Sequence, residues 1–200
     1  MEDSRLISMY LDGDVSAFNG LVRQWQSRIY NYTFKMLGKR EDAKDVTQKT
    51  FIKVYKNLRK LRDPSKFSSW IYQIATNLCR DEMRTRKRGP SVSLHQKIKT
   101  SSGNEVELQD FLADESSSAE DDLYQGEVVE TVRRALKLIP EDQRTVIIMK
   151  EYQGLKFREI AEILQEPLNT VKSRMYYGIK ALRKALIDLD IDKEVFQYEL

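Results

Sequence analysis

A chain of 200 residues with 40% apolar and 32% charged side chains has the make-up of a folded protein with heavily charged surfaces, which excludes a disordered chain. Only eight glycines and four prolines among so many Leu, Lys, Glu and Arg residues argue against a turn-rich sheet protein and for an all-α fold. The net charge of +3 hides a strong asymmetry: Arg80, Arg84, Arg86, Lys87 and Arg88 cluster, whereas residues 100–122 hold eight acids and no Lys or Arg.

In chain order, Phe18, Leu21, Val22, Trp25, Ile29, Tyr32 and Met36 recur every three or four positions, predicting a helix over 14–37 that Gly38 ends. A second stripe, Ala43, Val46, Phe51, Val54 and Leu58, starts after Glu41 and Asp42, whose charges suit a helix N-terminus. The basic segment 59–69 carries a turn signal at Asp63, Pro64 and Ser65. Periodicity then returns at Phe67, Trp70, Ile71, Ile74, Ala75 and Leu78, predicting a third helix that Gly89 and Pro90 stop.

Residues 90–122 show no period and are rich in Ser, Asp and Glu, as a flexible linker is. Its charge would let it mimic nucleic acid, but a plain spacer suffices. Helical spacing resumes at Val128, Val132, Ala135, Leu136 and Ile139, and Pro140 opens a further helix toward Tyr152. The segment 157–184 then reads helix, tight turn, helix: Ile160, Ala161 and Leu164 can pack on Val171, Met175 and Leu182, with small Ala161 allowing a close crossing. Lys172, Ser173, Arg174, Tyr176 and Tyr177 stay free on the second helix, chemistry suited to base edges and phosphates in a major groove.

Cys79 cannot form an internal disulfide, and with His95 the lone histidine there is no set of metal ligands, so neither a metal nor another cofactor is expected. No apolar run approaches the roughly 18 residues of a membrane span. The opening residues lack a secretory signal pattern, which makes the cytoplasm the expected location.

Three motifs, in order, resemble one family. Residues 41–51 (EDAKDVTQKTF), 67–78 (FSSWIYQIATNL), and 138–144 (LIPEDQR) with 170–174 (TVKSR) are similar to the core-binding, promoter-opening and C-terminal segments of the extracytoplasmic-function bacterial sigma factors. The resemblance implies a region-2-like domain at 1–90, a linker at 91–125, a region-4-like helix-turn-helix domain at 126–190 and a tail at 191–200. It also implies a non-enzymatic factor that binds core RNA polymerase, through its largest and second-largest subunits, and promoter DNA. No small-molecule substrate is expected, and an anti-sigma factor is a further expected partner.

Residue by residue, the resemblance assigns Asp45, Gln48 and Ile52 to polymerase. It assigns Lys66, Gln73, Asn77, Arg80 and Arg84 to the minus-ten element, and Lys172, Ser173, Arg174 and Tyr177 to the minus-thirty-five element. Arg144, Lys156 and Arg158 are assigned to phosphates. Two departures stand out: Lys49 replaces a common acid, and Gln165 and Glu166 replace the glycine and apolar residue of the turn. The rival readings are a stand-alone helix-turn-helix regulator, which would need only the last domain, and a DNA-processing enzyme such as a recombinase, for which no catalytic constellation is present.

Overall fold

The computed structural model describes residues 2–87 and 122–189, all of whose regular elements are helical. The predicted stop at Gly89 and Pro90, most of the expected linker, His95 and the expected tail lie outside the described residues.

The N-terminal unit contains α1 (Glu2–Leu11), α2 (Ser16–Leu37), α3 (Arg40–Asn57) and α4 (Phe67–Lys87). The first of these was not anticipated; it buries only Ile7 and Tyr10, too short a stripe to register as a period. The indole Nε1 of Trp25 donates to Asp3 at 2.9 Å, tying α1 to α2. Gly38 closes α2 in the left-handed region, φ 73°, where its N–H reaches the carbonyl of Phe34. Buried threonines cross-link the helices without leaving a polar group unpaired: Thr33 and Thr47 hydroxyls lie 3.0 Å apart between α2 and α3. Thr76 donates to the Tyr72 carbonyl at 2.7 Å, so the Tyr32 hydroxyl, 2.8 Å away, donates to Thr76.

An aromatic cluster seats α4. Trp25 meets Phe67 and Tyr72 edge-on at 5.7 and 5.9 Å, and Tyr32 meets Tyr72 at 5.5 Å. Phe67 is fully buried at the point where the 59–66 loop, two short 3-10 turns, enters α4. Asp63 caps that turn by accepting from the Ser65 amide at 2.9 Å. The loop therefore has a fixed end even though its polar residues face outward.

In the C-terminal unit, α5 (Asp122–Leu138) starts a few residues before the predicted boundary. α6 (Glu141–Ile147) runs into a π-helical turn, Ile148–Tyr152, and is followed by α7 (Phe157–Leu164) and α8 (Leu168–Asp188). Ile160, Leu164, Val171 and Met175 are buried between α7 and α8, as expected. A second close approach lies between α8 and α6. Gly178 of α8 sits against α6, where a Cβ would lie 3.0 Å from Ile147 Cδ1 and 3.2 Å from Gln143 Cβ, whereas Ala161 is only partly buried.

The two units, read from the sequence as domains joined by a linker, share one apolar core in the structure. α4 packs on α7, and the end of α2 packs on the π-helical turn. The apolar stripes of α2 and α4 are wide enough to face their own unit and spill over to the other.

The turn between α7 and α8 carries strain as a result of its sequence departure. Gln165 adopts φ 55°, the left-handed C-cap normally given to glycine, and is the one non-glycine residue with positive φ among those described. Gln165→Gly is expected to stabilise the C-terminal unit by about 1 kcal/mol, seen as a rise of a few degrees in its melting temperature. A fall in melting temperature would show that the Gln165 side chain makes good the strain.

Candidate nucleic-acid interface

The residues expected to meet polymerase form one surface. On α3, Asp45, Gln48 and Ile52 are all exposed, Ile52 to 41%, while Val46, Thr50 and Val54 turn inward. Lys49, the departure from the family pattern, pairs with Asp45 at 2.6 Å. The acid is thus screened by its own helix, and a partner must compete with that pair.

The five residues expected at the minus-ten element line one side of α4 and the loop before it. Asn77 is exposed and Gln73 is half-buried. Arg84 is held by Asp81 one turn away. Arg80 and Lys66 have partners from the other unit: Arg80 Nε lies 3.7 Å from Glu141, and Lys66 Nζ lies 2.6 Å from Glu162. Hydrogen bonding to that carboxylate raises the Lys66 pKa, so the ammonium stays charged. Trp70 is half-buried against Phe67, at 6.2 Å, as its place in the apolar period suggests.

On α8, Lys172, Ser173 and Tyr177 are exposed on the face away from Val171 and Met175. Tyr176 belongs with them: it is 65% exposed and packs edge-on to Tyr177 at 5.3 Å. An aromatic side chain on the polar side of an amphipathic helix was the signal for it. Lys156 and Arg158 are exposed at the start of α7, where the Lys156 amide donates to Glu159 at 2.6 Å.

Two of the residues expected at DNA are engaged within the chain. Arg174 is not free: its side chain is only 21% exposed, with Nε 3.1 Å from Asp142 and Nη2 3.0 Å from Glu166. Glu166, the second departure in the turn, thereby anchors the helix-turn-helix to α6 through Arg174. Arg144 is 8% exposed, packed against the Met83 sulfur of α4 at 3.0 Å, and in this arrangement presents nothing to a phosphate. Its pKa is lowered, chiefly by burial. Cys79 is fully buried, and burial pushes its thiol up to about 12, which makes it a core residue and a poor nucleophile.

Among the described residues no group of acids, Cys or His could hold a metal. The side chains brought together offer hydrogen bonding and charge: a basic, half-polar helix, α4, beside a capped loop, and a second helix, α8, with an exposed polar face.

Comparison with known proteins matches both units. A model for Sigma-70 region 2 fits residues 21–89, and one for Sigma-70, region 4 fits residues 130–182. The ECF RNA polymerase sigma factor SigW of Bacillus subtilis is 36% identical over 177 residues, 88% of this chain and 92% of its own. In fold, the chain is similar to CnrH in complex with the cytosolic domain of CnrY, with a TM-score of 0.68, 21% identity and coverage of 96% and 100%. It is also similar to the sigma factor RpoE in complex with the anti-sigma factor NepR from Bartonella quintana, with a TM-score of 0.63, 20% identity and coverage of 88% and 100%.

The Arg174 clamp is testable by stability alone. Arg174→Ala leaves Asp142 and Glu166 without their cation and opens a gap between α6 and α8, which is expected to cost the C-terminal unit about 1 to 3 kcal/mol in urea denaturation. An unchanged midpoint would mean that the side chain is held only loosely.

Proposed function

Because this chain belongs to the extracytoplasmic-function (ECF) family of RNA polymerase sigma factors, non-enzymatic proteins that direct promoter-specific initiation through regions 2 and 4, we propose a division of that task among its residues. Asp45, Gln48 and Ile52 on α3 dock on core polymerase. Lys66, Gln73, Asn77, Arg80 and Arg84 hold the minus-ten element as single strand, and the 59–69 loop receives an extruded base. Extrusion costs a few kcal/mol, which stacking and hydrogen bonds in a preformed pocket offset. The loop is preformed because Phe67 and Asp63 pin its end.

Lys172, Ser173, Tyr176 and Tyr177 read the minus-thirty-five element in the major groove, with Lys156 and Arg158 on flanking phosphates. Arg174 acts through the turn: it holds α8 at its angle and does not bond a base. Arg144 reaches a phosphate only when the two units part. The observation that carries this reading is the alignment of exposed polar side chains on α3, α4 and α8 with buried apolar faces behind all three.

Either DNA-reading unit alone makes few contacts, so each depends on the other being held nearby. Polymerase supplies that proximity and the active site, and the second reader gains the advantage of a high effective concentration. An anti-sigma protein is a further proposed partner, by analogy with the NepR complex. The cytoplasm is the proposed place of action; no helix among the described residues is long and apolar enough to cross a membrane. A stand-alone regulator would leave the exposed α3 face and the α4 cluster unexplained.

Transcription in vitro with purified core polymerase tests the assignment. The double substitution Asp45→Ala and Gln48→Ala is expected to weaken core binding by about tenfold or more, the scale of two interface residues, and to reduce initiation at sub-saturating factor. Unchanged affinity for core would remove α3 from the interface.

A further inference from the structure

An open cavity of about 420 Å³ lies where the ends of α2 and α4 meet the junction of α5 and α6. Small-molecule sites span roughly 300 to 1,000 Å³, so the space is large enough for a ligand. Met36, Leu37, Met83 and Ile139 give it apolar walls. Arg86, Lys137 and Arg144 line it too, against one carboxylate, Glu141.

Arg144 is the side chain that the fold leaves in want of an acceptor. It is 8% exposed; its Nη2 donates to the Met83 sulfur, a weak acceptor, at 3.0 Å, and its Nε has no partner among the described residues. The nearby acids are engaged elsewhere, Glu141 with Arg80 at 3.7 Å, and Asp42 and Glu82 with Arg86. Among the described residues neither Arg144 nor Lys137 forms an ion pair. A buried guanidinium keeps its charge, so leaving it without an acceptor costs free energy that an entering anion recovers.

Lys137 stands at the same place. Its stem lies over Gly38, whose missing side chain makes the room: an added Cβ would collide with Lys137 Cε. Partial burial lowers its pKa, and the charges of Arg133, Arg144, Lys39 and Arg86 lower it further, the mark of a local surplus of positive charge. Two unpaired cations beside apolar walls match a dianion that carries an apolar body. A phosphate monoester supplies about −1.5 to −2 charge at pH 7 and three acceptor oxygens, where a carboxylate supplies one charge. Promoter phosphates, tied into a duplex, cannot enter a space of this size; a free monoester can.

We propose that this cavity binds a small phosphate monoester, with the phosphoryl group on Arg144 and Lys137 and an apolar or aromatic body against Met36, Leu37, Met83 and Ile139. Unmet donors with space beside them are its basis, independently of the promoter assignments.

Calorimetric titration of the full chain, without polymerase, with phenyl phosphate, inorganic phosphate and benzoate tests this. Phenyl phosphate should bind once per chain with a dissociation constant below about 1 mM. Inorganic phosphate, which lacks the apolar body, and benzoate, which lacks the second charge, should each bind about tenfold more weakly or worse. Arg144→Met, which keeps the packing on Met83, and Lys137→Met, at an exposed position, should each lower the affinity about fivefold or more. Lys180→Met, which removes an exposed lysine of α8 outside the cavity, should stay within about twofold of wild type. If Arg144→Met loses helical ellipticity, Lys137→Met carries the comparison. Nuclear magnetic resonance of labelled methionine methyls locates the ligand: the Met36 and Met83 signals should shift at saturation and that of Met9 on α1 should not. Absence of saturable binding overturns the proposal. So does binding that persists in both cavity variants or leaves the Met36 and Met83 signals unmoved, which marks general attraction to a basic surface. Equal affinity for inorganic phosphate overturns the choice of a monoester.

Discussion

The placement of α4 governs most of the molecule. One side of this helix must be buried for the loop before it to hold a shape, and Phe67, Ile71, Tyr72, Ala75 and Cys79 supply that side against α2 and α3. The opposite side is polar and carries Gln73, Asn77, Arg80 and Arg84, the residues proposed to hold DNA. Between those two demands lies a third strip, around Ser69, Tyr72, Arg80 and Met83, that is neither deep core nor open surface. The C-terminal unit covers this strip, and it does so with acids where α4 offers bases.

Much of this was legible in the amino-acid sequence because the signals were local. The helical periods of α2, α3, α4 and α8, the stop at Gly38 and the turn at Asp63 and Pro64 depend on nearest neighbours along the chain, and the structure follows them. α1 escaped because two buried residues make no stripe. The close approach of Gly178 to α6 was not anticipated, because which small residue meets a neighbouring helix depends on three-dimensional crossing and not on spacing. The shared core between units was invisible for the same reason: an apolar face shows that something covers it, never what.

The side-chain assignments divide along a similar line. Exposure of Asp45, Gln48, Ile52, Lys172, Ser173 and Tyr177 follows from helix phase and could be counted off the sequence. Partner choice could not. Arg174 was expected at a base edge because its type and place suit one, but Glu166 and Asp142 converge on it from the turn and from α6. The departures from the family pattern carry physical meaning together: Gln165 accepts a strained backbone, Glu166 locks the strained turn through Arg174, and Lys49 pairs with Asp45 on the face proposed to meet polymerase. Each exchanges a generic feature for an internal contact.

The account holds that the faces left exposed on α3, α4 and α8 are the ones that serve polymerase and promoter. Amide hydrogen exchange of the full chain, followed as core polymerase and then promoter DNA are added, tests this most directly. Exchange should slow on α3 when polymerase is added, and on α4 and α8 when DNA follows. An α3 that exchanges as fast on saturated polymerase as in the free protein would contradict it.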